Sequence, residues 1–563
     1  MKKVLPTLVI LVLIGVLGTV FYKNYFVKYT YSAEMTDLNA YYEVEGEDDY
    51  PVILNDGWSD YHVKKIGDQF YLDYETVSEL LNDRFYYGEE DETLFYCLPD
   101  TRIAAKEGES AWTDSSGSGG SEAGAICIKQ DDKLYVSLDF VKKYTNFSYE
   151  AFTEPNRISM YNTWGERQEA EMNRTTNIRV SGGVKSAVVA EVPSGTRVAV
   201  IERMDNWSKV VTPDALIGYV ENRKMTEPAA VEMTPVTDYQ EPEYKRTAPD
   251  GKINMVWHNV AGAAGNTTFV DRINRTQSVN VVAPTWFVVL NDSGSVEVRA
   301  TQDYVDTAHQ MGMAVWAVLD NFNGPDGVQQ KFLRSDEARS AVISTTVETV
   351  RDMGIEGINV DIEGITDKYG SDFIEFVREL SIECRNNGIV MSVDNYVPYN
   401  FNDHYRIDEQ GLFADYVVIM GYDEHYAGSQ EPGSVASIGY VTYGIEEALK
   451  YVPAQKLING VPFYSRVWKT TAEGVSSQAF GMNEVQLFIA NHNMTVEWNA
   501  ATEQNYAEVS EDDATYQIWV EDVESIEKKL DVMQAHNIIG VAEWCLGMEN
   551  ADVWSVISDF MEK

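Results

Sequence analysis

The chain has 563 residues, 44% of them hydrophobic, with 44 basic against 89 acidic side chains and a formal net charge of −45. That length exceeds what one core can hold, so about three or four domains are expected. The acidic excess excludes a nucleic-acid-binding protein, since phosphate recognition needs a basic face, and a surface that clings to anionic lipid.

The first element is apolar. Lys2 and Lys3 precede a run from Val4 to Tyr22, and about 19 such residues suffice to cross a bilayer. Lys23 and bulky Tyr and Phe residues follow, where a cleaved signal would place small ones. Residues 1–30 are therefore expected to form a cytoplasmic tip and a transmembrane signal anchor, with the rest of the chain outside the cytoplasm. A cleaved signal would secrete the chain to the same side.

Residues 34–162 contain an internal echo. Gly67-Asp68-Gln69-Phe70-Tyr71-Leu72-Asp73 leads into a helix-like run near Val77 to Leu81, and Asp131-Asp132-Lys133-Leu134-Tyr135-Val136-Ser137 leads into another from Phe140 to Tyr144. Each unit reads as a polar turn, a short strand and a short helix, which predicts an α+β module. The pattern looks similar to the duplicated module of copper amine oxidase N-terminal domains, but no His or Cys cluster accompanies it and no metal is carried over. A spacer or a wall-binding role is expected. Cys97 and Cys127 lie here and could pair outside the cell, whereas Cys384 and Cys545 read as buried thiols. None of the four cysteines makes a CxxC or a His-rich pattern, so no zinc is expected.

Short strands separated by Gly182-Gly183, Pro193-Ser194-Gly195 and Pro213-Asp214 fill residues 172–226. This all-β pattern resembles a bacterial SH3-like barrel. Residues 227–250 carry Pro228, Pro235, Pro242 and Pro249 among acids and read as a semi-extended linker.

From 251 to 563, strand-like and helix-like segments alternate. The predicted strands are Ile253–His258, Val279–Leu290, Ala314–Asn321, Gly357–Glu363, Val390–Tyr396, Tyr416–Tyr422, Leu457–Phe463 and Ile538–Trp544. Eight strands with helical crossovers predict a C-terminal (β/α)8 TIM barrel in a multidomain chain. Ser335 with Asp336 and Glu337 marks one helix start, Gly354 its end, and Gly388 the end of a second helix from Ser371 to Asn387. The seventh crossover, residues 469–520, is longer than a helix needs.

The fourth strand, Gly357-Ile358-Asn359-Val360-Asp361-Ile362-Glu363, carries the chemistry. Side chains two apart share a strand face, so Asn359, Asp361 and Glu363 point together. Two carboxylates side by side at an apolar strand end repel, and one should keep its proton near neutral pH, as a general acid must. The segment resembles the signature of glycoside hydrolase family 18. Met420-Gly421-Tyr422-Asp423-Glu424-His425, Gly460 to Trp468 and Gly540 to Gly547 follow in the family's order. The match looks nearest to the bacterial cell-wall and spore-cortex branch.

The resemblance implies retaining, substrate-assisted cleavage of N-acetylglucosamine linkages, in which the substrate's 2-acetamido oxygen attacks the anomeric carbon. It assigns Glu363 as the acid, Asp361 as the group that orients and charge-stabilises the acetamide, and Tyr422 as its hydroxyl partner. Trp544 falls where a tryptophan floors the sugar site. Asn359, Asp423, Tyr464, Arg466, Trp286 and Asn395 are substrate-binding candidates, with an α+β subdomain expected in the seventh crossover. No metal or other cofactor is implied, and the partner is a polysaccharide. The family motif reads Asp-Gly-x-Asp-x-Asp-x-Glu, and here Glu356 and Asn359 occupy its first two acidic positions. Losing the middle Asp removes a charge that would help cycle the proton on Asp361. Peptidoglycan is the expected substrate, with chitin as the alternative and a non-catalytic, lectin-like glycan binder as a reading from another class.

Overall fold

The computed structural model describes residues 4–322 and 329–563. The chain divides into two compact units, one of residues 1–85, 105–113 and 118–241, the other of residues 86–104, 114–117 and 242–563.

In the first unit, a helix long and apolar enough to cross a membrane spans Thr7–Val27, with none of it buried. The flanking Lys2 and Lys3 lie outside the described residues. The two echo strands, Gln69–Asp73 and Lys133–Ser137, lie side by side and antiparallel in one seven-stranded sheet. Each runs straight into a helical turn, and the Asp73 carboxylate caps the first by accepting the Thr76 N–H. The all-β region is an antiparallel sheet whose last two strands at one edge, Glu166–Glu171 and Ala229–Glu232, pair with each other and extend it in sequence beyond 172–226 on both sides. Residues 229–232, read from the sequence as linker, are thus a strand.

In the second unit, eight parallel strands close into a barrel. They are β1 (Ile253–His258), β2 (Val281–Val289), β3 (Ala314–Asp320), β4 (Gly357–Asp361), β5 (Val390–Tyr396), β6 (Tyr416–Met420), β7 (Leu457–Pro462) and β8 (Gly540–Trp544). Each pairs with its sequence neighbours, and β1 closes the ring against both β2 and β8. These strands are almost wholly buried, as expected of a parallel sheet covered by helices. Two of those helices are α1 (Asp336–Met353) and α2 (Gly370–Asn387). Ser335 caps α1 by accepting the Ala338 N–H, and Gly354 and Gly388 end the two helices in the left-handed conformation that glycine adopts without a Cβ clash. The long seventh crossover is a five-stranded antiparallel sheet with the helix Met482–Asn491.

The structure answers one question that the sequence left open and corrects the reading at two further places. Cys97 and Cys127 form no disulfide; all four cysteines are free and buried, and the Cys97 thiol donates to Glu375 Oε1 at 3.3 Å. Residues 86–104 belong to the barrel unit. There Cys97 packs with Ile382 of α2 and with Phe413, and Arg102 pairs with Asp336 and, at 2.7 Å, with Glu379. The end of the linker is also docked rather than free. The Thr247 and Ala248 N–H groups donate to Asp415 at 2.6 and 3.1 Å, and the Tyr244 ring meets Phe413.

Candidate active site

The C-terminal ends of the barrel strands surround a cavity of about 390 Å³. Asp361 ends β4 and lies buried at its wall. Glu363 falls two residues beyond the strand, where a loop would ordinarily leave it loose. Asn321, just past β3, holds it. Its Oδ1 accepts the Glu363 N–H at 3.0 Å, and its Nδ2 donates to the Glu363 carbonyl at 2.9 Å. The Tyr396 hydroxyl donates to the Glu363 carboxylate and accepts the Gly364 N–H at 3.3 Å.

Strand parity decides the rest. On β5, Asp394 and Tyr396 line the cavity, so Asn395 points the opposite way, where it exchanges hydrogen bonds with Gln410 at 2.6 and 2.9 Å. Asn395 is therefore not at the rim, contrary to the sequence reading. Trp286 is also misplaced by that reading. Pairing of β2 with β3 shifts between Thr285 and Phe287, which breaks the simple alternation. Thr285 and Val288 line the cavity, while Trp286 is fully buried against Tyr304 and donates to Asn266.

Asn359 is fully buried beneath the cavity. Its Nδ2 donates to Ser392 Oγ at 2.9 Å and to Asp394 Oδ1 at 2.7 Å, and its Oδ1 accepts Trp257 Nε1 at 2.9 Å. Tyr422, Asp423, Tyr464 and Trp544 all line the cavity. The Tyr422 ring stands edge-on to Trp257 and to Tyr464, and a Cβ at Gly460 would come within 3.0 Å of it, so β7 needs glycine there. Asp423 has φ +60°, a left-handed conformation costly for a non-glycine residue, and it accepts the Tyr464 hydroxyl at 2.6 Å. Arg466 stands behind it, 3.8 Å from the same carboxylate. Trp544 lies 6.0 Å from Trp257, ring to ring, giving the cavity an aromatic wall.

The electrostatics favour protonated acids. Burial raises Asp361 well above its usual value, with the charges of Glu363, Asp394 and Asp320 adding to it. Glu363 is raised by burial and by Asp423, against the lowering hydrogen bond from Tyr396. Burial pushes Asp320 up to about 6 and Asp394 well above its usual value. Burial also keeps the Tyr422 hydroxyl neutral and therefore a donor. Such a pocket can hold a proton on one carboxyl, present a charged neighbour and stack an apolar ring face. The sequence reading missed Asp320, Asp394 and Trp257. Asp394 had a signal, as an acid in the middle of the otherwise uncharged Val390–Tyr396 run.

Residues 318–549 match the family model of glycosyl hydrolases family 18, and residues 174–225 match that of the bacterial SH3 domain. The chain is 23% identical over 262 residues to a cortical fragment-lytic enzyme of Bacillus subtilis, covering 44% of this chain and 59% of that protein. It thus spans about three fifths of that relative's length. It is also 23% identical over 320 residues to the uncharacterized glycosylase YvbX of the same organism, covering 54% of this chain and 92% of YvbX. The crystal structure of a chitinase from Chromobacterium violaceum shares the barrel fold, with a TM-score of 0.50 and 20% identity over 56% of this chain and all of that one.

Proposed function

From the premise that residues 318–549 form a glycosyl hydrolase family 18 domain, we propose that this chain cleaves N-acetylglucosamine linkages of peptidoglycan, with retention, outside the cytoplasm. The observation that carries the reading is Glu363, a raised carboxyl whose main chain is clamped by Asn321 at the mouth of a cavity walled by Trp257, Tyr422 and Trp544.

Glu363 protonates the leaving glycosidic oxygen. As that C–O bond breaks, the substrate's acetamido oxygen bonds to the anomeric carbon. Asp361 accepts the acetamide N–H and offsets the positive charge that spreads over it, while the neutral Tyr422 hydroxyl donates to the acetamido oxygen. Glu363, now a carboxylate, takes a proton from the water that opens the bicyclic intermediate. Trp544 supports the apolar face of the sugar. Asp423, Tyr464 and Arg466 form a linked wall that orients it. Asn359 acts from below, through Asp394.

Peptidoglycan is favoured over chitin by the SH3 domain on the same chain, by the span Thr7–Val27, read as a membrane anchor, and by the cortical fragment-lytic relative. A lectin-like protein has no use for a clamped acid with a raised pKa. The test is hydrolysis by the detergent-solubilised chain of purified peptidoglycan and, separately, of chitin oligomers, read as new reducing ends by mass spectrometry. N-acetylglucosamine reducing ends from peptidoglycan that vanish in Glu363→Gln support the reading. Cleavage of chitin alone replaces the substrate, and binding without products from either polymer replaces catalysis with recognition.

A further inference from the structure

Two residues before Asp361, on the same face of β4, stands an amide, Asn359. An amide cannot take up a proton at neutral pH, so Asp361 has no proton partner below it on its own strand. The next strand supplies another carboxylate. β4 and β5 pair in parallel with Asn359 opposite Ser392 and Val360 opposite Val393, which brings Asp361 and Asp394 next in register. Neighbouring strands lie about 4.8 Å apart, so two inward side chains at one register level are in direct reach of a shared proton. Both acids are buried and both line the same cavity. The hydrogen bonds single out which oxygens are available. Asn359 Nδ2 occupies Asp394 Oδ1 at 2.7 Å, whereas Asp394 Oδ2 and Asp361 Oδ1 are buried with no hydrogen-bond partner among the described residues.

We propose that Asp394 is the proton-sharing partner of Asp361, supplying from β5 the carboxylate that position 359 lacks on β4. This rests on the hydrolase reading above and adds to it a positioning residue. In the resting site one proton sits between Asp361 and Asp394. When Glu363 gives its proton to the leaving oxygen and the acetamido oxygen closes on the anomeric carbon, the acetamide N–H becomes acidic and needs an ionised acceptor. The Asp361 proton then moves to Asp394 Oδ2, and it returns when water opens the intermediate. No other reactant is consumed. The amide of Asn359 fixes Asp394 and keeps its second oxygen turned to this task. Glu363, Asp320, Tyr422 and the Trp257 indole N–H also face the pair, and their charge and polarity act on it.

The test compares the full-length wild type with Asp394→Asn and with the exchange variant Asn359→Asp/Asp394→Asn, measuring kcat, KM, pH profile and melting temperature on one cleaved substrate. Asp394→Asn is expected to lower kcat about 100-fold with KM within about twofold, the scale of a lost proton-transfer partner. Its acidic limb should move to lower pH by about one unit, because removing a like charge lowers the pKa of Asp361. The exchange variant should recover at least about tenfold of the loss. A kcat for Asp394→Asn within about threefold of wild type, or an unmoved pH profile, overturns the inference. If Asp394→Asn does not fold, the exchange variant alone decides. Activity within about tenfold of wild type supports the inference, and a 100-fold deficit at wild-type melting temperature overturns it. A wild type that cleaves nothing removes the hydrolase reading itself, which separates the two failures.

Discussion

On the flank of the barrel, Glu375, Glu379 and Glu409 are buried beside Arg102, Arg339 and Arg378, whereas at the mouth Asp320, Asp361, Glu363 and Asp394 stand beside one another. Arg339 forks onto both oxygens of Glu379 at 2.9 and 3.0 Å, and Arg378 reaches Glu409 at 2.7 Å and Glu375 at 3.4 Å. These ion pairs tie α1, α2 and residues 86–104 together. At the mouth Arg299 lines the cavity and lowers the pKa of Asp320 somewhat, but its hydrogen bonds go to the Val260 carbonyl and to Glu297. Buried acids crowded beside one another hold protons instead. Burial alone therefore does not mark a catalytic carboxylate; what stands next to it does.

The sharpest way to test this contrast is the same substitution in each cluster. Glu363→Gln is expected to lower kcat by about three orders of magnitude, since an amide cannot donate the proton, with melting temperature unchanged or raised. Glu379→Gln should do the reverse. It strips a charge from Arg102 and Arg339 and should cost about 3–5 kcal/mol in denaturant unfolding, with kcat of the folded fraction intact. A destabilised Glu363→Gln would break the comparison.

Asp320→Asn makes a smaller, pH-dependent change. The folded pKa of Asp320 is raised to about 6 from 3.8, so its ionisation opposes folding as pH rises through that window. The Asn variant should show no advantage over wild type below the unfolded pKa, and an advantage that grows through that window to about 3 kcal/mol above the folded pKa. Thermal melts across pH read this directly. The smallest effect is expected from Tyr396→Phe, which removes a hydrogen bond that holds the Glu363 pKa down. The alkaline limb of the kcat profile should move upward by a fraction of a pH unit, with kcat falling by less than about tenfold.

Much of the barrel was legible in the sequence because buried parallel strands write themselves as β-branched runs. Val390–Tyr396 and its neighbours were placed to within a few residues, and the length of 469–520 announced the extra sheet. Within the site, alternation on β4 correctly put Asn359 and Asp361 on one face. It failed on β2, where an irregularity in the pairing turned Trp286 outward, and on β5, where Asn395 was taken in place of Asp394. Parity gives two faces but not which one is inside; that needs the partner strand. The docking of residues 86–104 had no local signal. Leu94-Phe95-Tyr96-Cys97 reads the same whether it covers its own module or another. The prolines of residues 227–250 fit a stretch without helix or strand beyond residue 232, but gave no sign that Tyr244 and Thr247 would find partners on the barrel.

The place of Cys97 and Arg102 against α1 and α2 sets an order in time. The ribosome makes this segment long before residues 336–413 exist, so Arg102 has no Glu379 and Cys97 no Phe413 when it emerges. At about 5–20 residues per second the wait is on the order of ten to fifty seconds. The barrel is thus finished by a piece of chain synthesised before its own first strand, and a gene cut at the linker would encode a barrel without that piece.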